Sequence, residues 1–84
     1  MALDNRTTEL VAIGASITAN CLPCLEYHVA KAVESGVDEG EIAQAIDVGT
    51  MVRKGAADKM DQLMERLRRP AFPAPRGSTA RCCG

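Results

Sequence analysis

Asn20-Cys21-Leu22-Pro23-Cys24-Leu25-Glu26-Tyr27-His28 is the stretch from which the rest of the chain is best read. It holds two thiols and the one histidine of the protein within nine residues. Read as the start of a helix, it predicts Asn20 at the N-cap, where its amide oxygen accepts a hydrogen bond from an unpaired backbone N–H. Pro23 then falls in the first turn, where a missing N–H costs little. Cys21, Cys24 and His28 are three and four residues apart and share one face, within an arc of roughly 60° at about 100° per residue. A C-x-x-C pair at a helix start can close a disulfide within one turn, and the helix N-terminus favours thiolate over thiol. Such a pair points to redox or metal chemistry. The plainer alternative is two buried cysteines packing as small apolar side chains.

Upstream, a first helix is predicted from about Asn5 to Ala19 with Asp4 as its cap. Leu10, Ile13, Gly14 and Ile17 form its apolar face, and Gly14 suits close approach to a neighbouring helix. Downstream, the second helix is predicted from Cys21 to about Ser35, stopping at Gly36, with Leu22, Leu25, Val29, Ala32 and Val33 as its stripe. The thiols border this stripe, so they are expected at the edge of a buried surface, with Cys21 the more exposed. The tight join near Asn20 implies an antiparallel hairpin. Glu9 lies 11 residues before the bend and His28 lies 8 after it. At 1.5 Å per residue these are roughly 16 and 12 Å from the bend, so Glu9 can fall beside His28. A carboxylate–imidazole–thiol series is one reading. A solvated acid helped by the helix dipole is the other.

A third helix is predicted to start at Asp38, with Glu41 completing a capping box. Its stripe is Ile42, Ala45, Ile46, Gly49 and Val52. The pattern continues through Gly55, where the helix either bends or breaks before a fourth segment ending near Arg68. Met51, Met60 and Met64 are expected to fill core. From Pro70 the chain changes character: three prolines in six residues and no helical period lead to Cys82-Cys83-Gly84. The expected organisation is a helical domain over residues 1–69 and an extended Pro-rich tail over residues 70–84.

Eighty-four residues allow one small domain. With 46% apolar residues but one Phe, one Tyr and no Trp, the core must be built from Ala, Val, Ile, Leu and Met, a helical repertoire. So thin a core favours extra burial between subunits. No stretch approaches the roughly 20 apolar residues of a membrane span, and the first residues lack a basic segment leading into an apolar run. A cytoplasmic location, away from membranes, is the expectation. Residues 66–84 carry five arginines and no acid, against 5 basic and 11 acidic residues before them. A basic tail can bind nucleic acid, but without aromatic interleaving beyond Phe72 none is expected to bind here.

The spacing Glu9-x11-Cys21-x2-Cys24-x3-His28 resembles the alkylhydroperoxidase D-like branch of the carboxymuconolactone decarboxylase family. Gly36 to Ile46 is similar to the family's turn and third helix, and the resemblance covers about residues 5–68. It implies an all-α bundle, a helical hairpin plus one long or bent helix, assembling into trimers or hexamers. It also implies thiol peroxidase or disulfide-reductase chemistry with no cofactor or metal. In that scheme Cys24 attacks the peroxide, Cys21 resolves the sulfenic acid to a disulfide, and His28 with Glu9 relays protons. The partners would be a hydroperoxide or disulfide substrate and a thiol reductant, either a protein or a small dithiol. Two departures stand out. Pro23 replaces the histidine that well-known members carry between the cysteines, leaving C-L-P-C, closer to the loops of thioredoxin-like exchangers. The chain is also about half the length of a full alkylhydroperoxidase D. Members that act as decarboxylases lack the cysteine pair, so lactone decarboxylation is not expected.

Two other functions fit the same residues. One is zinc binding by Cys21, Cys24 and His28, with Cys82 or Cys83 completing a tetrahedron. The other is a non-catalytic helical assembly module.

Overall fold

Asp4 opens the first helix. Its carboxylate accepts the Thr7 N–H at 2.8 Å, satisfying one of the amides that a helix start leaves unpaired. That bond, with help from the Thr7 hydroxyl, holds the Asp4 carboxyl below its ordinary pKa. The computed structural model describes residues 2–69. They form three helices: α1 (Asn5–Thr18), α2 (Leu22–Glu34) and α3 (Glu39–Arg68). No strand occurs among the described residues, so the all-helical expectation holds. The expected tail over residues 70–84, including Cys82 and Cys83, lies outside the described residues.

Both turns between helices close in the same way. After α1, Asn20 takes the left-handed conformation at φ 57°. Its N–H bonds Ile17 O at 3.0 Å, and the Cys21 N–H bonds Ser16 O at 3.0 Å. After α2, Gly36 does the same at φ 81°, with Gly36 N–H on Val33 O and Val37 N–H on Ala32 O, each at 3.0 Å. These are Schellman closures, which satisfy the carbonyls that a helix end leaves open. Asparagine tolerates this conformation better than most residues because its short side chain is compatible with it. Asn20 therefore closes α1 instead of capping α2, and the N-cap of α2 is Cys21. Pro23 falls in the first turn, as expected.

Asp38 caps α3 by accepting the Gly40 N–H at 2.8 Å. The capping box is only half made, because Glu41 pairs with Arg6 of α1. The helix then runs unbroken through Gly55 for 30 residues, about 45 Å at 1.5 Å per residue. One helical glycine costs only about 1 kcal/mol against alanine, which is too little to end a helix with good formers on both sides.

The hairpin of α1 and α2 is completed by α3, which packs on α1 and barely touches α2. Ile13, Ile17, Ala32, Val37 and Ile42 are buried, with Leu10, Leu25, Val29, Ala45 and Ile46 packed around them. Gly14 and Gly49 set the distance between α1 and α3. A Cβ on Gly49 would lie 2.8 Å from Gly14 O and 3.0 Å from Gly14 Cα, so only glycine allows this approach.

Several residues expected inside are outside. Met51, Met60 and Met64 are 64%, 57% and 44% exposed, and Val52, Leu63 and Leu67 are exposed too. Met60, Leu63, Met64 and Leu67 lie on the far part of α3, past the level at which Arg53 meets the hairpin turn, where no other described element packs against them. Leu22 and Val33 of the α2 stripe are also exposed, since α2 meets only α1 along most of its length and buries a narrower arc.

Candidate functional site

Cys21 and Cys24 form a disulfide across the first turn of α2, with their Cα atoms 5.3 Å apart. Cys21 ends the α1 turn through its N–H and starts α2 through its sulfur, which accepts the Cys24 N–H at 3.3 Å. Cys21 is half-buried and Cys24 is exposed, the reverse of the expected order. Ordinary position along the helix would expose the first cysteine. Here its double role in the turn pulls it against the end of α1, and Cys24 is left facing outward.

His28 follows Cys24 by one helical turn, on the same face. Its Nδ1 lies 2.7 Å from Oε1 of Glu9 on α1. The two side chains retain only 30% and 15% of their exposure, respectively. A carboxylate can only accept, so the Nδ1 proton points at Glu9 and, in the neutral ring, the free lone pair is on Nε2. Tyr27 stands edge-on to the imidazole with ring centroids 5.0 Å apart, and Lys31 Nζ lies 6.0 Å from the Tyr27 ring centre. The hairpin thus joins Glu9 and His28 directly and holds the disulfide one turn away.

Arg53 of α3 adds a contact that spacing along the sequence does not reveal. Its Nη1 donates to Asn20 Oδ1 at 3.3 Å, fixing the residue just before Cys21. The register of α3 against the hairpin, set by the Gly14–Gly49 approach, brings it there. A groove of about 580 Å³ between α1 and α3 is lined by Leu10, Val11, Gly14, Val48, Gly49 and Val52 among others. None of the four residues of the candidate site borders it.

With both sulfurs in one bond, neither cysteine offers a thiolate to a metal. No group of three or more His, Cys, Asp and Glu among the described residues is arranged to hold one. The fourth ligand of the zinc reading, Cys82 or Cys83, lies outside the described residues.

Fold and site together define a small all-helical protein with a C-x-x-C disulfide one turn before a carboxylate-bound histidine. The chain belongs to the carboxymuconolactone decarboxylase family, which residues 1–65 match. It is 39% identical over 56 residues to a Paracoccus denitrificans protein described as "Uncharacterized protein 4 in cox locus". The match covers 67% of this chain and 50% of that protein, so the chain spans about half the length of its relative. No solved structure matches the chain. No helix among the described residues is long and apolar enough to cross a membrane.

Proposed function

We propose that the chain is a thiol-dependent oxidoreductase of the alkylhydroperoxidase D-like kind, reducing hydroperoxides or exchanging disulfides through Cys21 and Cys24. The observation behind this reading is the Glu9–His28 contact one turn below the exposed residue Cys24. In the reduced protein, His28 Nε2 takes the proton of the Cys24 thiol, and the resulting thiolate attacks the outer oxygen of a hydroperoxide. The O–O bond breaks, Cys24 becomes a sulfenic acid, and the alkoxide takes a proton from His28. The Cys21 thiol then attacks the sulfenic sulfur, releasing water and forming the disulfide of the structure. A thiol reductant returns two electrons and two protons. Glu9 is a positioning residue, holding the ring so that Nε2 is available to the reacting groups.

Pro23 and the outward-facing Cys24 also favour plain dithiol–disulfide exchange, which needs no peroxide step. Both reactions need a supply of thiol reductant, which fits a reducing compartment such as the cytoplasm. The exposed apolar side of α3 formed by Met60, Leu63, Met64 and Leu67 and the groove beside α1 favour assembly of several copies, a trimer or a hexamer, since a thin core gains from burial between subunits. The deciding experiment is peroxide consumption with different electron donors, comparing wild type with Cys24→Ser. Turnover by wild type that is lost in Cys24→Ser supports peroxidase activity. Disulfide exchange without peroxide turnover leaves the second reaction, and neither activity in wild type overturns both.

A further inference from the structure

The end of α1 and the start of α2 meet at the redox turn, and Arg53 of α3 stands beside both. Its Nη1 donates to Oδ1 of Asn20 at 3.3 Å. Asn20 is the left-handed residue that closes α1 and directly precedes Cys21. α1 has no basic residue in its last turn, so nothing on that helix offsets the partial negative charge of its C-terminus. α2 has no acidic residue in its first turn. Among the described residues Arg53 has no carboxylate partner, whereas its neighbour Lys54 is paired with Asp58. The acids of the three helices leave this cation alone. Glu9 is taken by His28. Glu26 lies about 140° round α2 from Cys21, and Asp47 about 120° round α3 from Arg53, at about 100° per residue. A guanidinium keeps its charge at any ordinary pH, so it stands at the turn uncancelled.

We propose that Arg53 is a positioning residue for the reduction of the site: held on Asn20, it keeps a positive charge beside Cys21 and stabilises the Cys21 thiolate. The proposal rests on the redox reading given above and adds a residue from α3 to that site. A reductant thiol, having lost its proton to solvent, attacks the sulfur of Cys24, the more exposed cysteine of the pair. The Cys21–Cys24 bond breaks, a bond from Cys24 to the reductant forms, and Cys21 leaves as a thiolate. A second reductant thiol, also losing its proton to solvent, attacks the reductant sulfur of this mixed disulfide. The oxidised reductant departs as its own disulfide, and Cys24 is released as a thiolate. Two electrons have then reached the site, and its two thiolates take up protons from solvent as pH dictates. A sulfur of lower pKa leaves faster. The start of α2 favours the Cys21 thiolate and the end of α1 opposes it. Arg53 tips that balance toward the thiolate, and so toward reduction.

The test compares Arg53→Gln with Arg53→Lys in the full chain. Glutamine can still donate a hydrogen bond but carries no charge, and lysine keeps the charge. In freshly reduced Cys24→Ser protein, iodoacetamide alkylation of Cys21, located by peptide mass, is followed against pH. Adding Arg53→Gln is expected to raise the midpoint of that profile by roughly half a unit or more. Adding Arg53→Lys is expected to leave it near its starting value. With Cys24 intact, Arg53→Gln is expected to slow reduction of the Cys21–Cys24 disulfide by dithiothreitol about twofold or more, and Arg53→Lys to match wild type. Asn20→Gly keeps the left-handed backbone but gives Arg53 no side-chain acceptor, so it is expected to raise the midpoint without any change in α3. Circular dichroism checks that each variant is folded. Equal midpoints, equal reduction rates, or the same shift in Arg53→Gln and Arg53→Lys would overturn the proposal. Peroxide consumption by wild type with dithiothreitol is measured alongside. Its absence removes the peroxidase reading alone, because alkylation and disulfide reduction report on the thiols without any peroxide.

Discussion

Glu9 and His28, 19 residues apart in sequence, meet at 2.7 Å between Oε1 and Nδ1 where α1 and α2 run side by side. The contact fixes which ring nitrogen holds the proton. Replacing Glu9 with Gln keeps an acceptor for the Nδ1 proton but removes the carboxylate charge beside the ring. We expect Glu9→Gln to slow peroxide-dependent turnover about tenfold or more, within the range of roughly 10²–10⁴ for a whole acid–base group, with little change in melting temperature. Steady-state kinetics with a thermal melt test this. Unchanged turnover and unchanged alkylation kinetics would remove Glu9 from the chemistry.

The two thiols should differ in what they accumulate. In Cys21→Ser, a peroxide-treated Cys24 sulfenic acid has no partner in the site to resolve it, and a dimedone-type probe is expected to trap it. Cys24→Ser should give no such adduct at position 21 under matched peroxide. Mass mapping of the adduct decides, and the reverse pattern would exchange the two roles.

Gly49 and Gly14 make a pair with opposite expectations. Alanine normally gains about 1 kcal/mol over glycine in a helix. At Gly49 the new methyl would meet Gly14 backbone atoms at 2.8 and 3.0 Å, and backbone cannot move aside cheaply. Gly49→Ala should therefore lose about 1–3 kcal/mol of stability, the usual cost of overpacking. At Gly14 the nearest atom to such a methyl is Ala45 O at 3.6 Å, an ordinary contact. Gly14→Ala should be neutral or stabilising by up to about 1 kcal/mol. Chemical denaturation of both variants checks the contrast.

Asp4 gives a pH dependence of known sign. Its carboxyl is held low by the Thr7 N–H, so the folded state prefers it ionised. That contribution is complete above the ordinary carboxylate range and is lost as pH falls through the lowered value. Asp4→Asn keeps a capping oxygen without the titration. Melting temperature should fall less steeply with pH below about 4 in Asp4→Asn than in wild type. Parallel slopes would contradict this.

The exposed apolar side of α3 sets the last expectation. Leu63→Lys together with Leu67→Lys should lower the solution mass seen by light scattering while helicity is retained. A wild-type monomer at micromolar concentration would count against assembly.

The all-helical class, the caps at Asp4 and Asp38 and the stop at Gly36 could be read from the chain, because each depends on chemistry local to a few residues, whereas the helix expected to bend or break at Gly55 runs on unbroken. The Glu9–His28 proximity followed from counting along two helices joined by a short turn. What could not be read depends on partners far along the chain. A period of three and four marks Met60, Met64 and Leu67 as one face of a helix, yet says nothing of whether another element faces them. Asn20 was ambiguous for a different reason. Asparagine is favourable both as an N-cap and in the left-handed conformation that ends a helix, and in so tight a turn the two roles are one residue apart. The exposure of the cysteines depended on that choice, which is why their order came out reversed. Arg53 had no local signal at all.

Cys21 belongs to two helices at once, ending α1 with its N–H and beginning α2 with its sulfur. The eleven residues between Glu9 and Cys21 therefore act as a ruler as well as a connection. One residue inserted between Thr18 and Cys21 would break the closure of α1. One inserted before Ile13 would turn Glu9 by about 100° away from His28 while leaving every side chain of the site present. Loops usually absorb changes in length. This one cannot, so the stretch from Glu9 to His28 is expected to vary in sequence more readily than in length.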